Sequence, residues 1–339
     1  MAETIVLMMK RINYIDGIKG FTILAIVFNH IRIFSLEIEP NTSAISMFIV
    51  SFMVPMFFFV SGFVNKIELN SSIKDTCFCL LKKFRTLILP TLAFWGISRV
   101  AGIYEWGFPG GFWFTFTLFE MFALQYAISA IFFSVGERYF SLIFLTFSIL
   151  LLATNIFGDI EILGFNELRN NLIYFSLGFV CKSLQDKFDY FIHNQIYIAI
   201  NILIATALLL IQYNGIKVDF FPGGVGIVWT IKALSMIFLI FSLFNKYSDY
   251  WDSGSLIPKT IRYLGGKTLD IYILHFFFLP SVPVLSTWFE SRGNSVIEFM
   301  VIGIIMIAVI ILSLAVSTII NTSSFVSYFV LGGRKMIKV

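Results

Sequence analysis

The sequence predicts an all-α polytopic membrane protein with about ten transmembrane helices and both termini in the cytoplasm. Composition is the first observation behind this. Of 339 residues, 58% are hydrophobic, 18% aromatic and only 13% charged, where soluble domains carry about 25% charged residues. Mean hydropathy is +0.89. The second is length: apolar windows recur that approach the roughly 20 residues needed to cross a bilayer. The third is the alternation of basic residues between connecting segments. A large soluble helical protein is disfavoured, because too little polar surface is left to solvate a globule of this length.

The candidate spans lie near 15–36, 43–65, 87–104, 112–135, 140–157, 170–184, 194–213, 224–245, 267–287 and 296–320. The first is not a cleaved leader. Its apolar part is too long, and Ser35-Leu36-Glu37-Ile38-Glu39 offers no small-residue cleavage site. With the N-terminus inside, inner segments take Lys66, Lys82, Lys83, Arg85, Lys182, Lys187, Lys246, Lys259, Arg262 and Lys267. Outer segments and helix ends take Arg32, Arg99, Arg169, Lys217 and Arg292, together with acidic residues such as Glu37, Asp159 and Glu167. Positive-inside bias therefore supports an even number of spans. The connections are short, so residues 1–339 read as a single membrane domain. The net charge of +4 reports topology and gives no reason to expect a nucleic-acid partner. Cys77, Cys79 and Cys181 form neither a disulfide framework nor a zinc spacing. No metal site is expected.

Ionisable residues inside spans are costly and usually functional. Here they are Lys19, His30, Glu120, Lys232, Asp270 and His275. Lys19 and His30 are 11 residues apart, which returns to nearly the same helix face about 16 Å further along the axis. Asp16 lies one turn before Lys19 on that side. One face of the first helix thus carries a carboxylate, an ammonium and an imidazole. Lys232 and Glu120 suit a structural ion pair. A buried histidine also suits an interhelical hydrogen bond.

Three further stretches stand out. Lys74–Arg85 reads as a basic amphipathic helix, suited to anionic head groups or to the phosphates of a cytosolic ligand. In Pro55-Met56-Phe57-Phe58-Phe59-Val60-Ser61-Gly62-Phe63, the Ser61-Gly62 pair allows close helix packing or a local break at the inner end of the span, and no base is paired with Ser61. Gly265-Gly266-Lys267-Thr268 lacks the first glycine of a phosphate-binding loop and runs into a span, so that motif is rejected. Asp270 and His275 do not share a helix face.

These residues together resemble the acyltransferase-3 family of integral membrane acyltransferases. The likeness begins with Arg11-x-x-x-Ile15-Asp16-x-x-Lys19-Gly20 and the Lys19-x10-His30 spacing. It continues through Phe57–Phe63, Lys82-Lys83-Phe84-Arg85, Trp113-Phe114 and Leu269–His275. Lys19 and Lys82 stand where arginine is frequent in the family, which keeps the charge and loses bidentate geometry. The resemblance implies O-acylation, most often O-acetylation, of a cell-surface polysaccharide or its lipid-linked precursor. It implies cytosolic acyl-CoA as co-substrate, no bound cofactor, and residence in the inner membrane as a multi-pass protein.

A hydroxyl nucleophile needs a base, and neutral histidine suits that role. His30 is therefore the expected base, or the carrier of the acyl group if transfer takes two steps. Asp16 would orient Lys19, and Glu120 would orient His30 or bind the acceptor. Lys82, Lys83 and Arg85 are the expected acyl-CoA contacts. Ser61, Lys232 and His275 are further candidates. A transporter or flippase for a sugar or lipid-linked substrate is the alternative, since buried His, Lys and Glu suit that as well.

Overall fold

A computed structural model describes residues 12–39, 43–65, 72–103, 110–154, 164–216, 226–292 and 295–333. Arg11, Lys66, Asp159, Lys217 and the basic residues from Arg334 onward lie outside these. The described residues form helices α1 Asn13–His30, α2 Ala44–Val64, α3 Ile73–Lys83, α4 Leu89–Val100, α5 Trp113–Ile131 and α6 Glu137–Thr154. Then come α7 Phe165–Ser183, α8 Gln185–His193, α9 Gln195–Tyr213, α10 Ile227–Lys246, α11 Ser248–Asp252 and α12 Leu256–Gly266. The chain closes with α13 Thr268–Leu274, α14 Val284–Arg292, α15 Ser295–Ile320 and α16 Ser324–Val330. There is no strand among them. The all-α polytopic expectation holds.

Among the described residues, seven helical segments are long and apolar enough to cross a membrane, including Asn13–Ser35, Ala44–Val64 and Ile227–Lys246. Three predicted spans take another form. The segment at 87–104 is the 12-residue α4 behind a π-helical turn, Phe84–Ile88. Helix α7, at 170–184, carries Glu167, Arg169 and Lys182. The segment at 267–287 is broken: α13 tightens into a 3-10 turn, His275–Phe278, and extended chain follows. A hydropathy window averages over such breaks, and Pro280 and Pro283 show why no helix continues there.

Small residues set the helix register. A side chain at Gly62 would strike the Phe175 carbonyl, and one at Gly178 would strike that of Phe59. Helices α2 and α7 therefore touch backbone to backbone, as small residues allow in membranes. Both run the same way, because Ser51 and Pro55 share one cavity with Asn170, Asn171 and Tyr174 near the start of α7. Helix α10 is parallel to them, with Phe59 against Phe241 further along. Helix α1 is antiparallel: Phe21 stacks on Phe52 at 5.5 Å, while Phe28 reaches Ile45.

The bundle thus has two ends. Asn13, Asn65, Lys83 and Lys182 share one, through Asn13 to Asp252, Lys83 to Asn65, and Lys182 over the Phe63 ring. His30 and the starts of α2, α7 and α10 lie at the other.

Candidate active site where α1 and α13 end

α1 ends at His30 and passes into a π-helical turn, Ile31–Ser35. Such turns are rare and recur at functional sites. His30 Nδ1 lies 2.7 Å from His275 Nε2, across 245 residues of sequence. His275 is fully buried, and its Nδ1 is 3.0 Å from the Ile271 carbonyl. A carbonyl only accepts, so His275 Nδ1 carries the hydrogen, and its Nε2 is the acceptor when the ring is neutral. His30 Nδ1 then donates to it. That leaves His30 Nε2 with a free lone pair. The network itself assigns these tautomers. His30 keeps an exposed edge while His275 does not. Phe34 and Phe276 enclose His30, with ring centroids at 5.4 and 5.1 Å.

On the Asn13 side of this pair lies a cavity of about 310 Å³. Lys19, Ser61, Asn65, Lys83 and Tyr272 line it, together with Ile26. Ile26 stands one turn before His30, roughly 6 Å along the axis. Tyr272 adjoins both the cavity and the pair. It lines the cavity, its ring lies 6.1 Å from that of His275, and its hydroxyl donates to the Gly111 carbonyl at 2.9 Å. The arrangement is a chamber with cations at one end and an imidazole with a free lone pair beyond the other.

A family profile described as an acyltransferase domain, of the acyltransferase-3 type, matches residues 12–321, nearly the whole chain. The chain belongs to the acyltransferase-3 family. It is a membrane acyltransferase. Searches of curated proteins and of solved structures give no significant match.

The acyltransferase's first-helix motif divides into two physical roles. Asp16 and Lys19 form an ion pair at 3.7 Å, and Lys19 continues into the cavity wall. The glycines serve packing. A side chain at Gly20 would meet the Ile261 carbonyl, and one at Gly265 would meet that of Asp16. Helix α12 therefore runs antiparallel along α1. The reversal near Lys267 sends α13 back toward His30. Gly265-Gly266-Lys267-Thr268 is thus a helix–helix corner docked on α1, in keeping with its rejection as a phosphate loop. Asp270 accepts from Lys267 and Ser317, apart from the histidine pair.

Other expected residues are distributed differently. Lys83 faces the cavity, with its ammonium 3.5 Å over the Phe122 ring. Lys82 and Arg85 line a separate groove against Tyr328 and Phe329 of α16. Residues one and two positions away point elsewhere on a helix, so the basic run serves two surfaces. Glu120 is not among the described contacts of His30, which are His275, Phe34 and Phe276. It lies toward Glu167 across Gly164, and its Oε2 has no hydrogen-bond partner among the described residues. Nor is Glu120 paired with Lys232. The Lys232 ammonium bonds Gln212 Oε1 and sits 3.7 Å over the Trp229 ring. The two side chains lie on helices that present them to different neighbours, which charge complementarity in sequence does not reveal.

The His30–His275 pairing was not foreseen. A signal existed. The chain holds three histidines, and two of them fall in predicted spans.

Proposed function

We propose that this membrane acyltransferase moves an acyl group, acetyl as the first choice, from cytosolic acyl-CoA to a hydroxyl of a cell-surface polysaccharide or its lipid-linked precursor. The observation carrying this reading is the His30–His275 bond, which leaves His30 Nε2 free to take a proton. Basic residues gathered at the Asn13 end support placing that end in the cytoplasm of a cell inner membrane. The thioester arm of the donor enters the cavity between Lys19 and Lys83. Its volume falls near the lower limit of small-molecule sites. This suits an arm and acyl group whose nucleotide stays outside, where Lys82 and Arg85 offer further positive charge. The roughly 16 Å from Lys19 to His30 is the path the arm spans.

The chemistry balances with groups at hand. The acceptor hydroxyl attacks the thioester carbonyl as His30 Nε2 takes its proton. The carbon–sulfur bond then breaks, and the departing thiolate takes up that proton. His275 holds the ring in the reactive tautomer and is a positioning residue. In a two-step variant the same lone pair of His30 carries the acyl group.

The test is acyl transfer from radiolabelled acetyl-CoA in proteoliposomes, with wild-type and His30→Ala protein at equal levels. Loss of transfer in the variant supports the assignment, and retention overturns it. Mass spectrometry of envelope glycans with and without the gene identifies the acceptor by the mass of one acyl group. Solute counterflow without acyl-CoA consumption would favour a transporter instead.

A further inference from the structure

A second cavity, about 380 Å³, lies on a different face of α2 from the donor chamber. Ser51 and Pro55 face it, whereas Phe57, Val60, Ser61 and Val64 face the chamber. Those two sets are about 150° apart on a helix of 3.6 residues per turn. This second cavity sits near the starts of α7 and α10, at the His30 end of the bundle. The reaction described above makes no use of it.

Its polar groups are specific. Lys232 is buried, and its ammonium has three donors. Gln212 takes one, and the Trp229 face holds the charge on one side. Asn170 Oδ1 is shielded from solvent without a hydrogen-bond partner among the described residues. Pro55 stands inside α2 and has no N–H. It thereby deprives the Ser51 carbonyl of its ordinary helical partner. In a membrane, such backbone groups are tolerated where they line a polar cavity. Tyr174 and Asn171 complete the wall, and no acidic residue is among the described lining.

We propose that this cavity binds one acidic sugar residue, of the hexuronate type. The Asn170 oxygen, without a partner among the described residues, suits a ring hydroxyl. The indole supplies an apolar platform. The lysine, with no carboxylate beside it in the wall, selects a negative charge. A wholly structural role for Lys232 accounts for the bonds to Gln212 and Trp229. It leaves the cavity and the Asn170 oxygen unexplained. The cavity's link to catalysis, as a subsite for an acidic unit of the acceptor, rests on the function proposed above. Binding itself does not.

The test is ligand-observed saturation-transfer NMR on the full chain in nanodiscs, with glucuronate, glucose and glycerol phosphate as probes. Glucuronate should bind saturably, and glucose at least about tenfold more weakly, as loss of one charge-assisted bond implies. Lys232→Gln should abolish that preference, and Lys232→Arg should keep it. Trp229→Ala should weaken both sugars. His30→Ala protein should bind glucuronate as wild type does, which separates this subsite from the transfer reaction. Absent saturation, a preference unchanged in Lys232→Gln, or tighter binding of glycerol phosphate than of glucuronate would each overturn the proposal. The last outcome would point to a lipid head group.

Discussion

His30 Nδ1 and His275 Nε2 stand 2.7 Å apart, and the Ile271 carbonyl behind His275 directs the hydrogens of both rings. A base oriented by a second group, itself oriented by a third, is a recurring solution for activating a poor nucleophile.

That relation separates the two histidines kinetically. His30→Ala is expected to lower acyl transfer by about 10²–10⁴-fold, the usual contribution of a positioned base. His275→Ala should lower kcat with KM for acyl-CoA little changed, because it removes orientation and no donor contact. His275→Gln can place a carbonyl oxygen near the lost Nε2 and should recover part of kcat. Equal kcat for the Ala and Gln variants would argue against a positioning role. Steady-state kinetics in proteoliposomes gives both constants.

Lys83 and Lys82 are adjacent in sequence yet face different spaces. Lys83→Ala should raise KM for acyl-CoA by about tenfold, equivalent to losing roughly 1.4 kcal/mol of a charge-assisted contact. Lys82→Ala should have a smaller effect that fades with added salt, as expected of an exposed charge. Initial rates across acyl-CoA concentrations at two ionic strengths decide between them.

Gly20 and Gly96 offer a matched pair of stability tests. A Cβ at Gly20 meets the Ile261 backbone, whereas one at Gly96 meets nothing within 4 Å. Gly20→Ala should destabilise by about 1–3 kcal/mol through overpacking. Gly96→Ala, within α4, should be neutral or stabilising by up to about 1 kcal/mol. Thermal unfolding in detergent, followed by size exclusion, reads both.

Arg32 lies in the π-helical turn after His30 and donates through Nε to Glu298 of α15 at 2.8 Å. It is 1% exposed. Arg32→Ala would leave Glu298 without that partner and should cost about 3–5 kcal/mol. Glu298→Gln keeps an acceptor and should cost less. Similar melting temperatures for both variants would mean that the ion pair contributes little to holding α1 against α15.

The all-helical membrane class was legible because bilayer solvation demands it: scarce charge and recurring apolar length leave few alternatives. The shared face of Asp16, Lys19 and His30 was legible too, since helical periodicity places them on one side, while the family they point to came from their resemblance to its motif. At Gly62 the sequence left close packing and a local break both open, and the contact with the Phe175 carbonyl decides for packing.

What only the tertiary structure decided is which residues meet across long separations. His275 pairs with His30, Lys83 parts from Lys82, and Lys232 turns to Gln212 and Trp229 in place of Glu120. Local periodicity specifies a helix face and says nothing of the neighbour that face will find. That neighbour is set by where backbones can approach, as at Gly20 against Ile261 and Gly265 against Asp16. These contacts turn α13 back along α1 and bring the two imidazoles together.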